Sequence, residues 1–379
     1  MSDATTLRVL PVESKSDLKT FITLPSSFFK GDPNWIPHLN LERKLHLTPK
    51  TNPWFEHADF KAWIAWRDNT PVGRISAQVD RLALETHQDD TGFFGLLDAE
   101  DNQATFQALL STAEQWLADK GIKRVRGPFS LSINDEIGVL IEGFDTPPMF
   151  MMGHSRPYYS RYIEACGYEP TKDLLAYMLE IDEFKKPRVM DWLLEKAEGK
   201  VNVRPLDLKN FDEELATLRT IFNDAWSENW GFVPFTDAEF KDLGHTLKLL
   251  VSPELIQIAE VDGEPAAFIV ALPNLNEVIR NFKGKLLPFG WARLLWALKV
   301  RFPHSARVPL MGVRQKYHNT LGPALSFLVI DAVRKHLRER GVKDIEMSWI
   351  LEDNDGVRGI IESVGSHVYK KYRVYDRQL

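Results

Sequence analysis

Apolar and polar positions along the chain fall into two series of elements that echo each other. In the first half, LRVLPV has the alternation of a short strand, and residues 15 to 29 have the spacing of a helix that stops at Gly31-Asp32-Pro33. A second short helix fits within WIPHLNLERKLHL. FKAWIAW and VGRISAQV alternate around the turn from Asp68 to Pro71, which predicts a hairpin, and GFFGLLD reads as a further buried strand. Phe106, Leu109, Leu110, Ala113, Trp116 and Leu117 recur at helical spacing between Gln103 and Lys120, and the strand IKRVRGPF follows. The second half runs through VNVRPLDL, a helix over LATLRTIFNDAW, strands LIQIAEV and AAFIVALP about a turn, strand RVPLMGV and a long helix from Ala324 to Arg340. Strand, helix and strand complete it.

The two series share a register. Gly121 and Gly341 are 220 positions apart, and so are Asn134 and Asn354. Each half also places a helix ending at a glycine, IEACGY or IESVGS, before its terminal strand. A repeated turn, strand, helix and strand predicts two similar α/β domains with mixed sheets rather than one large fold. The expected boundaries are 1–182 for the first domain, 183–199 for a helical linker and 200–379 for the second. The first copy carries about 22 additional residues, an insertion at about 135–160 that is rich in Met and aromatics and therefore expected to be ordered and to line something.

Composition narrows the function classes. The 379 residues are 44% hydrophobic, enough for two cores, and the net charge of −6 offers no general attraction to nucleic acid. Cys166 is the single cysteine, which excludes an intramolecular disulfide and a CxxC metal site, and its place on an apolar helix face predicts a buried structural thiol. No resident cofactor or metal is expected, since the histidines lack ligand spacing. The N-terminus has no apolar core of signal length, and no run of about 18 uncharged apolar residues occurs, so a cytoplasmic protein is expected.

Three segments could carry chemistry. In RVPLMGVRQKYHNTLGPALSF a strand runs into a polar loop with a helix directly behind it. That is either an ordinary turn or a place where free backbone N–H groups and a positive helix end meet a pyrophosphate. The insertion supplies Asp135, Glu136 and His154 as candidate proton acceptors, and both copies place carboxylates after the strand that precedes Asn134 or Asn354. Each acid is equally consistent with a cap or a turn. From Arg280 to Phe302 there are six basic residues, no acidic ones and two tryptophans, a composition suited to an anionic membrane surface or to a core helix with snorkelling cations. Asn223 to Phe232, dense in Trp and Asn, could shape an acceptor pocket or cap a helix.

The segment Tyr317 to Ala324 resembles the pyrophosphate loop of the GCN5-related N-acetyltransferase fold, with Gly322 and Ala324 at the glycine and small-residue positions. His318 stands where that family has Arg or Gln, and the loop is a residue short. The resemblance implies that Val313, Arg314, His318, Asn319, Thr320, Gly322 and Ala324 hold acyl-CoA as a co-substrate. Asn354 resembles the asparagine that follows the fifth strand in that fold and joins Asp135, Glu136 and His154 as a catalytic candidate. The first copy has the acidic AEDNQ in place of a phosphate loop. NPWFEHADF, GFFGLLDAEDN, NWGFVPFT, LPFGWARLLWALK and SWILEDN together are similar to a bacterial group of tandem proteins of this fold that includes ceramide synthases. That likeness implies transfer of a fatty acyl group from acyl-CoA, or an acyl carrier, to a long-chain sphingoid amine, with peripheral membrane contact through 280–302 at the inner face of the membrane. Aminoacyl transfer from tRNA and a non-catalytic lipid or acyl-CoA binding protein are the rival readings.

Overall fold

The computed structural model describes residues 6–379. The chain forms two compact units. The first comprises the residues up to Leu174 together with Ile279–Gly290 and Lys370–Leu379, and the second comprises Leu175–Val278 and Trp291–Tyr369. The domains are therefore interleaved in sequence, whereas the pattern alone suggested a succession.

In the first unit, β1 (Leu7–Pro11) leads through helices α1 (Lys15–Thr23), α2 (Pro25–Phe28) and α3 (Asn40–His46) to the hairpin of β2 (Ala58–Arg67) and β3 (Thr70–Asp80). A short helix α4 (Arg81–His87), strand β4 (Thr91–Ala99), long helix α5 (Gln103–Asp119) and strand β5 (Arg124–Gly127) follow. The stretch from Lys15 to Phe29 divides in two because Pro25 opens a new helix where it has no N–H to give the old one. Strand β6 (Val139–Glu142), helix α6 (Tyr158–Ala165) and strand β7 (Glu169–Glu180) close the first series.

The second series begins with α7 (Arg188–Ala197), β8 (Val201–Pro205), α8 (Phe211–Trp226) and α9 (Asp237–Leu250). The hairpin β9 (Ile256–Val261) and β10 (Glu264–Pro273), helices α10 (Asn276–Ile279) and α11 (Gly290–Lys299), and strand β11 (Ser305–Val313) come next. Helix α12 (Gly322–Glu339), strand β12 (Asp344–Leu351), helix α13 (Asp355–Ser363) and strand β13 (His367–Gln378) end the chain.

Both units have the same mixed plan. In the first, β1, β2, β3 and β4 pair antiparallel in order, and β4 then pairs parallel with β5. The C-terminal part of β13 belongs to this sheet and pairs antiparallel with both β5 and β6. In the second, β8, β9, β10 and β11 pair antiparallel and β11 pairs parallel with β12. Helix α5 packs on β3, and α12 packs on β9 and β10. Gly121 and Gly341 have φ of +84° and +81°, the left-handed turn that ends α5 and α12 alike, and this explains why the glycine is shared.

The α5 face with Phe106, Leu109, Leu110, Ala113 and Leu117 is fully buried against β-sheet residues such as Ile75, Ala77 and Val125. At about 25 cal/mol per Å² of apolar surface, this core is the main favourable term of the first unit. Cys166 lies in the same cluster, and burial pushes its thiol up to about 11, as expected of a structural cysteine. The insertion is ordered: Met149 and Met152 are buried, and Ser155 Oγ accepts from the Leu140 N–H at 3.1 Å.

Candidate active site

Each unit contains a fork where its parallel pair of strands parts. In the second unit, pairing covers Ser305 to Val308 against Asp344 to Met347, after which the strands run on to Val313 and Leu351 without pairing each other. At the mouth, α12 starts at Gly322 behind Leu321, and no side chain caps it. Early N–H groups of a helix have no intrahelical partner, so an uncapped start presents donors and a partial positive charge to an anion.

The first unit handles the corresponding position differently. Asn102 caps α5 by accepting from the Ala104 N–H. Glu100 sits at the same turn, bonded to Arg67 and Thr105. Its fork is filled by the chain itself: a Cβ on Gly95 would lie 1.6 Å from the Phe129 carbonyl oxygen. Gln78 Nε2 donates to that carbonyl at 2.6 Å and to Leu131 at 3.3 Å, fixing the plug.

The predicted loop of the second unit is braced from α8. Gln315 N–H donates to Asp224 Oδ2 at 2.8 Å, Gln315 Nε2 donates to Ser227 Oγ at 2.9 Å, and Trp226 Nε1 donates to the Met311 carbonyl at 2.9 Å. Asn223 is bonded in both directions to the Phe235 backbone. The Trp- and Asn-rich segment thus holds the loop and closes its own turn. His318 Nε2 donates to the Val313 carbonyl at 2.7 Å, so the imidazole that replaces the usual Arg or Gln ties the loop to the strand end. Arg314 is held by its N–H to Ala266, and its guanidinium Nε is buried without a hydrogen-bond partner among the described residues. Asn319 and Thr320 are exposed, and Gly322 and Ala324 are buried in the first turn of α12. The structure therefore gathers all seven predicted loop residues at one strand-to-helix junction.

A buried polar network lies at the closed end of this fork. Arg307 is 2% exposed and Glu346 is fully buried. Arg307 Nε donates to Ser348 Oγ at 2.9 Å, Ser348 Oγ donates to Glu346 Oε1, and the Tyr369 hydroxyl donates to Glu346 Oε2. The Arg307 guanidinium also stacks on Trp349 at 4.9 Å. Arg307, Glu346 and Tyr369 are not among the candidates the sequence singled out. The signal for Arg307 and Glu346 is a charged residue inside each of two apolar strand windows, SARVPLMGV and DIEMSWIL.

In the first unit, Asp135 and Glu136 face α3 and the residues before it. Glu136 forms an ion pair with Arg43, and His38 Nε2 lies 3.7 Å from its other oxygen. His46 Nε2 lies 3.6 Å from Asp135 Oδ1. Burial alone would raise Glu136, but the Arg43 and His38 charges outweigh it and hold the carboxyl at about 2. Burial pushes Asp135 upward against the opposing effects of His46 and the bonds from Ser132. Arg43, His38 and His46 were not singled out from the sequence, although Arg43 and His46, three positions apart, share one face of α3.

His154 falls in a different cluster, 3.2 Å from Asp32 Oδ2 with Arg156 on the same carboxylate. Burial lowers its pKa despite that partner. Asn354 is the N-cap of α13, and its Oδ1 accepts from the Val357 N–H at 3.1 Å.

No protein-family profile matches the chain. Two curated proteins match along its whole length: protein YghO of Escherichia coli, 47% identical over 97% of this chain and 94% of its own, and the bacterial ceramide synthase of Caulobacter vibrioides, 46% identical over 98% of both. Among solved structures, a tandem GNAT protein from the clavulanic acid biosynthesis pathway superposes with a TM-score of 0.59 at 12% identity over 98% of both chains. A GCN5-related N-acetyltransferase from Sphaerobacter thermophilus superposes with a TM-score of 0.54 at 12% identity over 98% of this chain and 95% of its own. These two likenesses concern the fold, which is the tandem acetyltransferase plan.

Proposed function

Since this chain belongs to the family of tandem GNAT-fold proteins that contains the Caulobacter bacterial ceramide synthase and YghO, we propose that it is an N-acyltransferase moving a fatty acyl group from acyl-CoA to the amine of a long-chain sphingoid base. The observation that supports this most is the contrast between the two helix starts: α12 is uncapped at a fork whose strands stop pairing after Val308 and Met347, whereas α5 is capped by Asn102 at a fork that Phe129 fills. In this reading the loop from Val313 to Ala324 takes the pyrophosphate of the acyl-CoA, with the early α12 N–H groups and the Arg314 guanidinium as donors. The stretch of β11 from Pro309 to Val313 pairs with β10 but not with β12, and its β12 side spans roughly 16 Å at strand rise, the length of an extended pantetheine arm.

The chemistry is attack by a neutral amine nitrogen on the thioester carbonyl. The C–N bond forms as the C–S bond breaks, one amine proton passes to a protein base, and the thiolate leaves to become free coenzyme A. A long-chain amine is mostly protonated at neutral pH, with a pKa of about 10 in water, so a proton acceptor is required. Of the candidates, Glu136 is committed to Arg43 and poorly basic, which leaves the Asp135 and His46 pair as the acceptor. Glu136 then anchors α3, His154 braces the insertion through Asp32, and Asn354 orients the start of α13. A long-chain amine partitions into membranes, so peripheral contact through part of the 280–302 segment belongs to the same reading.

The test is direct. Purified protein given palmitoyl-CoA and a sphingoid base should yield an N-acylated base and one free thiol for each amide, read by mass spectrometry and thiol titration. Thiol release without amide, or no release with any acyl-CoA, would overturn the assignment.

A further inference from the structure

The acid-free segment from Arg280 to Phe302 divides into two parts with different roles. Its first part is committed to protein: the Arg280 guanidinium donates to the Pro33 carbonyl, and the Gly284 carbonyl accepts from the Asn40 N–H at 2.9 Å. A Cβ on Gly284 would lie 2.9 Å from Asn40 Oδ1, so the backbone is seated closely there. Phe282 is buried.

The second part, α11, is not covered in this way. Ala297 and Leu298 are buried and seat the helix, while Trp291, Leu295, Trp296 and Val300 keep 50%, 44%, 54% and 68% of their surface exposed. At 100° per residue these four span the half of the helix turned away from Ala297, with Lys299 in the middle of that arc and Arg293 at its edge, so the cations reach phosphates by snorkelling past the apolar side chains. Arg293, Lys299 and Arg301 are exposed on the same segment, and no acid interrupts it. Two exposed tryptophans beside leucine and valine, flanked by cations only, are what the boundary between headgroups and acyl chains accommodates.

We infer that α11 is an interfacial docking element, lying in the plane of an anionic membrane with Trp291, Leu295, Trp296 and Val300 among the acyl chains and Lys299 and Arg301 among lipid phosphates. Charge complementarity selects this occupant over a second copy of the chain. A twofold contact would bring the same three cations against each other with no acid in either segment to answer them. The helix has ten residues, about 15 Å at 1.5 Å per residue, so it lies on a bilayer and does not cross it. No helix among the described residues is long and apolar enough to cross a membrane. The inference deepens the proposed function by naming the surface from which a long-chain amine would be drawn, and it rests on that reading only for its purpose.

The experiment uses the full chain and no substrate. The protein is floated with vesicles of phosphatidylcholine alone and with vesicles in which about a third of the lipid is phosphatidylglycerol. Wild type should bind the anionic vesicles with a blue shift of tryptophan emission. Trp291→Ser with Trp296→Ser, and separately Lys299→Glu with Arg301→Glu, should each weaken binding roughly tenfold or more while the thermal midpoint stays put. Equal binding by wild type and both variants would overturn the inference, as would absence of wild-type binding. Loss of a solution dimer in the tryptophan variant without vesicle binding would assign the face to self-association and also overturn it. Transfer to a soluble short-chain amine, measured in parallel, reports on the acyltransferase reading separately.

Discussion

The Asn102 side chain accepts a 2.9 Å hydrogen bond from the Ala104 N–H and closes the start of α5, whereas Leu321 at the equivalent start of α12 has no side-chain acceptor for the N–H groups of the first turn. One chain thus carries two copies of a helix start, one satisfied by its own side chain and one without a side-chain cap. Titration calorimetry should therefore count one acyl-CoA per chain. A stoichiometry of two would mean that the first unit binds coenzyme in spite of its cap and its filled fork.

Glu136→Gln leaves the largely buried Arg43 with only the half-exposed Glu42 carboxylate, 3.1 Å away, as counterion, and losing the buried partner costs about 2 kcal/mol. Chemical denaturation should show the loss. Glu136 has its pKa depressed from 4.5 to about 2, so the unfolded chain takes up this proton before the native one does. Its contribution is complete above pH 4.5 and is lost as pH falls toward about 2. The wild-type acid limb should be steeper than that of Glu136→Gln over this window. Asp135, whose pKa burial raises, acts with the opposite sign in wild type and variant alike, so the difference between the two limbs reports Glu136.

Asp135→Asn removes the acceptor while keeping a side chain able to bond Ser132. If the Asp135 and His46 pair takes the amine proton, kcat should fall on the order of 10²-fold or more with little change in KM for acyl-CoA. An unchanged kcat would move the base elsewhere, with the Glu346 and Tyr369 network as the next place to look.

Asn354→Ala should cost about 1 kcal/mol, the usual value of an N-cap, and Asn354→Asp should restore it because the carboxylate can accept from the Val357 N–H. Thermal melts compare the two. A loss of kcat in Asn354→Asp with stability intact would give Asn354 a direct part in the reaction.

Much of the fold was legible because the apolar periods of α5, α12 and the two hairpins are strong and because Gly121 and Gly341 mark the same turn twice. The interleaving was not. Residues 371 to 378 of β13 pair with β5 and β6 across more than two hundred positions, and strand periodicity carries no information about the partner. The loop from Val313 to Ala324 could be read from local order, strand, polar turn and helix, and lies at one strand-to-helix junction. His38, Arg43 and His46 could not, because only the plug from Phe129 to Ile137 brings Asp135 and Glu136 to them. Arg307 and Glu346 were visible as charges in apolar strands, but an isolated charge does not announce its partner.

The central claim is that α12 leaves its first N–H groups to a nucleotide-linked thioester. Leu321→Asp puts a carboxylate at that helix start, where it repels phosphate and competes for the same donors. The deciding measurement is the affinity of the variant for acyl-CoA by calorimetry. A loss of roughly tenfold or more, with the thermal midpoint retained, is expected. Unchanged affinity in the folded variant would contradict it.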